Sequence, residues 1–450
     1  AGAVGMKSLR TEARENLRLA VPLVAAQLTF IAFNVLDVTM AGRLGAGALA
    51  AIAVGGNFWV LLFIFFMGVF VACSPIVAQR GGAGQAPDAI GGFVHQCLRL
   101  ALPVGLVWMA LLRFGARPVL QLLELSAATT ATAVGYLQAE SWAVPAVCAA
   151  CALRYSAEGS GKPRVVLAAA ASGLGVKALG NYMLMFGGFG APALGAVGAG
   201  WATLLAWLAM LGAYVVAYRA VPALAALQVW RARPLSREVL ELFTLGLPVG
   251  AILFGEVAFF AVTALIMARF GEAAVAAHQV AINVASLAFM VPLGIALATT
   301  VRVGNAVGAG SGDARLRGHA GIGLGIAFSL VSASAMGFFP HRIAGWYTTD
   351  ASIAARAAAF LRFAAVFQLF DCVQSVANGA LRGIKDTRVP MLITLAAYWL
   401  IGLPVSWMLA FHTARGPDGL WLGFILALAL AATGLAARFA YRTRRAVVMP

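Results

Sequence analysis

Read from its N-terminus, the chain is a succession of apolar blocks about twenty residues long, parted by short stretches where arginine, lysine, glycine and proline collect. Phe58 to Ala78 and Phe243 to Met267 are nearly free of charge. As helices rising about 1.5 Å per residue, they match the roughly 30 Å hydrocarbon core of a bilayer. Lipid cannot hydrogen-bond a bare backbone, so such blocks are helices or strands of a closed barrel. Barrel strands would alternate strictly over about ten residues, and this sequence does not. The pattern predicts spanning helices near 17–41, 48–79, 90–113, 127–150, 165–187, 195–219, 239–268, 274–301, 320–340, 353–380, 389–412 and 418–440. The first block is full length and lacks a clear cleavage site, so it reads as a span and not as a signal peptide.

Composition agrees. Of 450 residues, 62% are hydrophobic and 11% charged, with mean hydropathy +0.91; a soluble protein has about a quarter of its residues charged. The net charge of +16 raises nucleic acid as a partner, but the basic residues form no patch. They fall between blocks, and mostly on one side. That side holds Lys7, Arg10, Arg14, Arg18, Arg80, Arg154, Lys162, Arg164, Arg219, Arg231, Arg233 and Arg237. It also takes Arg302, Arg315, Arg317, Arg382, Lys385, Arg388 and the tail from Arg438 to Arg445. The other side keeps Arg43, Arg113, Arg117, Arg269, Arg342 and Arg415. Loops rich in Lys and Arg stay cytoplasmic, so both termini are expected in the cytoplasm, with no nucleic-acid partner. The preference for Arg over Lys suggests a GC-rich bacterial genome. Cys148 and Cys151 form a C-x-x-C within a helix, without a second pair, and read as packing residues.

The chain also matches itself at an offset of about 226 residues. Pro22 pairs with Pro248, Arg43 with Arg269, Gly45 with Gly271, Asn57 with Asn283, Gly68 with Gly294, Gly82 with Gly308 and Gly84 with Gly310. Chance matches of Ala or Gly are cheap in this composition; matches of Pro, Arg and Asn in register are not. Six spans per repeat is an even number, so the halves share orientation, the parallel plan of several secondary transporters. Lobes at 1–225 and 226–450 are expected, linked by the basic stretch from Arg219 to Arg237.

Ionisable groups deep in a span cost about 2.5–3.5 kcal/mol on insertion scales and mark function by default. Three acids stand out among sixteen Asp and Glu: Asp37, Glu256 and Asp371. Gln27, Asn34 and Asp37 share one side of the first span. In the eighth, Gln279, Asn283 and Ser286 form a polar stripe, and in the tenth Gln368, Asp371, Ser375 and Asn378 form another. Convergence of these stripes on a polar cavity with two carboxylates is expected in the C-terminal half. Two carboxylates with amide oxygens can hold Na⁺ or share a proton, so Glu256 and Asp371 are the Na⁺ candidates. Phe259, Phe260, Phe367 and Phe370 flank them and offer cation–π faces worth about 0.5–2 kcal/mol each. Against this stands the blander possibility that each acid pairs with a neighbouring helix to fix packing, which also fits Glu140 and Lys177 as an intramembrane pair. The five histidines show no ligand spacing; His278, beside the eighth-span stripe, is the one worth following.

No phosphate-binding G-x-x-x-x-G-K-[ST], nucleophile elbow or H-E-x-x-H is present. An enzyme is not expected, nor a cofactor beyond Na⁺ or H⁺ as coupling ion. One charge crossing 100 mV is worth about 2.3 kcal/mol, enough for one or two ions to drive uphill export.

The segment FQLFDCVQSVANGALRGIKDTRVP (367–390), followed by YWLIGLP (398–404), resembles the tenth and eleventh spans of the multidrug and toxic compound extrusion (MATE) family, NorM-like branch. DVTMAGRLG (37–45) resembles its first-span motif, and NYMLMFGGFGAPALGAVGAGWAT (181–203) its fifth-to-sixth-span segment. The resemblance covers essentially the whole chain. It implies an all-α membrane protein of twelve helices, in two six-helix lobes related by a pseudo-twofold axis along the membrane normal and arranged as a V. It implies export of hydrophobic organic cations across a bacterial inner membrane in exchange for Na⁺ or H⁺, by a monomer in contact only with lipid. By motif position Glu256 and Asp371 match the family's cation-coordinating carboxylates, and Asp37 the N-terminal acid tied to protonation. The DinF-like branch lacks the C-terminal pair. Lys177, just before the Asn181 motif, departs from the family pattern. Within the same superfamily the alternative is a flippase of a lipid-linked precursor, whose cavity would be cationic; outside it, a membrane enzyme or a channel.

Overall fold

Each apolar block closes its backbone hydrogen bonds internally, because lipid supplies no partners. The computed structural model describes residues 9–123, 126–234 and 236–446. Lys7, counted above with the basic flank, and the side chain of Arg445 lie outside the described part. Twelve long helical segments succeed one another among the described residues. They are α1 (Leu9–Leu44), α2 (Ala46–Gly82), α3 (Pro87–Gln121), α4 (Ala127–Ser141 and Val144–Gly159), α5 (Pro163–Phe186) and α6 (Ala196–Ala220). The second six are α7 (Val239–Met267), α8 (Glu272–Gly308), α9 (Ala314–Phe338), α10 (Ala351–Gly383), α11 (Arg388–Phe411) and α12 (Pro417–Ala446). Eleven are long and apolar enough to cross a membrane. The exception is α4, which breaks at Trp142–Ala143 into pieces of 15 and 16 residues. α3 and α11 each pass through a π-helical stretch, Leu111–Gly115 and Ala396–Gly402.

Several helices outrun the spans expected from hydropathy. α1 starts at Leu9, while α8 and α10 reach Gly308 and Gly383. Hydropathy marks the length that lipid accepts, whereas the helix continues as long as its polar end finds partners. α4 is the clearest case. It runs to Gly159, and Arg154, expected on the basic side between spans, lies inside it. Arg154 Nε donates to Glu158 Oε1 at 3.0 Å, with the two side chains 4% and 0% exposed.

Among the described residues, Ala25–Gly250 packs as one compact unit, and 9–24 packs with 251–446 as the other. The division at 225/226 follows the sequence repeat, and the packing cuts instead through α1 and α7, just past Pro22 and Pro248. Glycines account for the cut. A Cβ on Gly68 of α2 would lie 2.2 Å from the Gly250 Cα of α7, and one on Gly294 of α8 would lie 2.9 Å from the Val24 backbone nitrogen of α1. Gly68 and Gly294 are repeat mates, as are Val24 and Gly250, so one close contact is made twice.

Ion pairs follow the same symmetry. At the start of α1, Glu12 and Glu15 hold Arg302 of α8. At the start of α7, Glu238 and Glu241 lie 2.8 and 3.6 Å from Arg80 of α2. Both glutamate pairs stand at the repeat offset. Gly45 and Gly271, which open α2 and α8, share a backbone conformation (φ 111° and 91°) that any other residue would strain to adopt. In the unit holding α8 to α12, α8 packs most extensively on α10. Its core is aromatic: Phe259, Phe360, Phe367, Trp421 and Phe424.

Candidate functional site

Glu256 sits on α7 where α10 and α11 meet it. Gln374 Nε2 of α10 donates to Glu256 Oε1 at 3.2 Å. The Tyr398 hydroxyl of α11 lies 3.3 Å from the same oxygen and 2.7 Å from Gln374 Oε1. A phenol has a single proton to give, so it serves one acceptor at a time. With the carboxylate ionised, Tyr398 can donate to Glu256; with Glu256 protonated, its own O–H can donate to the phenol while the phenol turns to Gln374. The triangle therefore accommodates both charge states without losing a hydrogen bond.

The π-helical stretch of α11 places Tyr398 there, and the neighbouring Trp399 Nε1 donates to the Gly255 carbonyl at 3.1 Å, holding α11 against α7. Such bulges recur at functional sites because they re-aim a side chain. Asp371, 4% exposed on α10, is within range of the Glu256 charge, as is the guanidinium of Arg382. The phenyl ring of Phe259 stacks on Tyr398, with centroids 5.0 Å apart. Phe260, half-buried, meets Phe367 at 5.9 Å, and Phe370 is half-buried beside them. A buried acid, a half-buried acid, an amide and a phenol thus stand against an aromatic wall, and oxygen donors of this kind suit a hard cation.

The α10 stripe is enclosed: Gln368 is fully buried with Oε1 unpartnered, Asn378 Oδ1 is likewise buried without a partner, and Ser375 is half-buried. The α8 stripe lies elsewhere. Gln279, Asn283 and Ser286 are exposed, while the opposite face of α8 buries His278 edge-on to Trp421 at 5.4 Å. The α8 stripe is thus not enclosed as the α10 stripe is. Gln374 and Tyr398 supply the polar contacts instead, and neither stood out in the sequence. Gln374 follows Asp371 by three residues and could have been found by that spacing; Tyr398 could not, because a π-bulge shifts its phase.

Asp37 belongs to the other unit. Its Oδ1 accepts from Asn181 Nδ2 at 2.8 Å and lies 2.9 Å from Lys177 Nζ. Lys177 donates further to the Ala199 carbonyl at 3.0 Å and to Thr203 Oγ1 at 2.5 Å. Lys177 is thus ion-paired with Asp37, while Glu140, the partner the sequence suggested, feels its charge without an ion pair. Gln27 is half-buried and accepts from Arg154, whose guanidinium lies 4.7 Å over the Phe30 ring. Asn34 is exposed.

The MatE family model matches twice, at residues 22–183 and 248–408, one match to each sequence repeat. The chain is 37% identical to the "Multidrug resistance protein PmpM" of Pseudomonas aeruginosa, over 97% of this chain and 93% of that protein. It is also 37% identical to the "Multidrug resistance protein MdtK" of Pectobacterium atrosepticum, over 98% of each. A solved structure, a MATE protein in complex with MaD3S, superposes with a TM-score of 0.88 over 97% of both chains at 19% identity, a likeness of fold. With both repeats matched and relatives aligned from end to end, the chain belongs to the MatE family and is a membrane transporter, not an enzyme.

Proposed function

We propose that this protein exports hydrophobic organic cations, drugs among them, across a bacterial inner membrane in exchange for Na⁺ or H⁺, as a monomer with both termini in the cytoplasm. The observation that carries the reading is the placement in one unit of half-buried Glu256, bonded to Gln374 and Tyr398, and buried Asp371, both backed by aromatic rings. A small cation and an aromatic cation compete for such a site: the first is held by carboxylate and amide oxygens, the second by charge and ring faces. Binding of Na⁺ or H⁺ removes the negative charge that retains the drug, so the ion gradient pulls release to the outer side. The competition works as a pump only if each cargo is held differently in the two access states. The relatives named for multidrug resistance support the cargo class, and the lopsided Lys and Arg support the orientation. An acidic, aromatic site suits a cationic amphiphile better than the anionic head of a lipid-linked precursor.

The test is ethidium efflux from loaded cells expressing wild type or Asp371→Asn at equal levels. Efflux driven by a Na⁺ or a proton gradient should vanish in the variant. Efflux persisting unchanged would end this account of the site.

A further inference from the structure

Glu140 is a buried acid that the scheme above does not use. It lies at the end of the first piece of α4, 2% exposed, immediately before the break at Trp142–Ala143. Gly200 of α6 presses on this turn, where a Cβ would come within 2.6 Å of the Tyr136 carbonyl, so little room is left beside it. The hydroxyls of Tyr136 and Thr203 attend the carboxylate, but Oε2 has no partner, and neither has the buried Oδ1 of Asn181, the residue bonded to Asp37. Broken spans are where membrane transporters place ion sites, since the interruption leaves polar groups free at mid-membrane depth.

The charge balance is decisive. An ammonium has three N–H donors, and those of Lys177 are taken by Asp37, Ala199 and Thr203. Lys177 therefore neutralises Asp37 and has no hydrogen bond left for Glu140. α1 brings Asp37, α5 brings Lys177, and α4 itself brings Tyr136. The titratable side chains of α2, Cys73 and Arg80, are engaged with Cys97 and Glu238. The tyrosines of α6 lie towards its other end, with Tyr218 bonded to the Leu153 carbonyl. Arg113 of α3 stacks over Trp142 at 5.0 Å. The Lys177 charge still reaches Glu140, but one ammonium faces two carboxylates, so with Asp37 and Glu140 both ionised one net negative charge is left in an apolar interior, at a cost that one bound proton removes.

Resting on the exchange reading above, we infer that Glu140 is a second coupling site that takes up one proton on Oε2 and releases it during the cycle, with Lys177 as a built-in cation that removes Asp37 from that task. The step forms and breaks a single O–H bond. A proton is favoured over Na⁺ because the Lys177 ammonium repels any second cation held at ligand distance, whereas a proton cancels the charge on the carboxylate itself.

Two readouts test this on the full chain. Infrared difference spectra of the purified protein in lipid nanodiscs, without drug or Na⁺, should show a protonated-carboxyl band that titrates with pH. Glu140→Gln should remove it and Glu140→Asp should keep it at a shifted position. In proteoliposomes free of Na⁺, a pH gradient should drive ethidium exchange in wild type and Glu140→Asp but not in Glu140→Gln. A carboxyl band identical in wild type and both variants overturns the inference, whatever transport does. A band assigned to Glu140 in a protein that exchanges no ethidium under either gradient leaves the proton site standing and sinks only the export reading.

Discussion

The pairing of Asp37 with Lys177 allows a quantitative prediction. The side chains are 2.9 Å apart and 12% and 1% exposed. At an effective dielectric constant near 20, that separation gives about 6 kcal/mol of attraction. Taking two ions out of water costs several kcal/mol each, so the intact pair is close to neutral for stability. Removing one partner costs about 3–5 kcal/mol, because the other is left charged and buried. Lys177→Met should fall at the lower end, since Asp37 keeps some exposure and Asn181. Asp37→Asn should fall at the upper end, since it strands an enclosed ammonium. The double variant should recover most of the loss. Thermal unfolding of the four purified proteins in detergent measures this directly. Both single variants should melt well below wild type, Asp37→Asn lowest, and the double variant near it. Added NaCl should raise the melting of Lys177→Met more than that of wild type, because a Na⁺ taken up beside the unpaired Asp37 adds to any held at Glu256 and Asp371. Strictly additive losses in the double variant would refute the pairing.

Tyr398→Phe removes the hydroxyl shared by Glu256 and Gln374. It should cost about 1 kcal/mol, roughly a fivefold loss in affinity for the coupling cation, at unchanged expression; titration of ethidium displacement by Na⁺ or acid reads it. Gly68→Val places side-chain atoms against the Gly250 backbone, which has no rotamer to yield. Overpacking of about 1–3 kcal/mol or more should lower the folded yield on size-exclusion chromatography. Arg302 and Arg80 hold repeat-related glutamates with different burial: Glu12 is 0% exposed but Glu238 48%. Arg302→Ala should therefore cost about 3 kcal/mol and Arg80→Ala at most about 1, compared by melting in the same detergent.

Much of the candidate site was legible in the sequence. Asp37, Glu256 and Asp371 stand out because a charge in an apolar block is conspicuous without knowing its neighbours, and all three are largely enclosed. Their partners were not legible. Gln374 lies 118 residues from Glu256, Tyr398 lies 142 away, and Asn181 lies 144 from Asp37. Gln279, Asn283 and Ser286 form the predicted stripe, yet it is exposed where Asp371 is buried. Periodicity gives a face, not what that face meets.

The sequence by itself determined that the chain is a bundle of membrane-crossing helices, how many there are, where the repeat begins and which acids are out of place in lipid. These are one-dimensional properties: the length of an apolar block against the thickness of a bilayer, and the cost of a backbone or charge without a partner. Only the folded packing gave Lys177 to Asp37 as its ion-pair partner and left Glu140 Oε2 without a hydrogen bond. It alone broke α4 beside Glu140, turned Tyr398 inward through a π-bulge, and packed the starts of α1 and α7 against α8 and α2. Those outcomes depend on the rotation of each helix about its axis and on which helices become neighbours. Close packing settles both, and hydropathy carries no record of either.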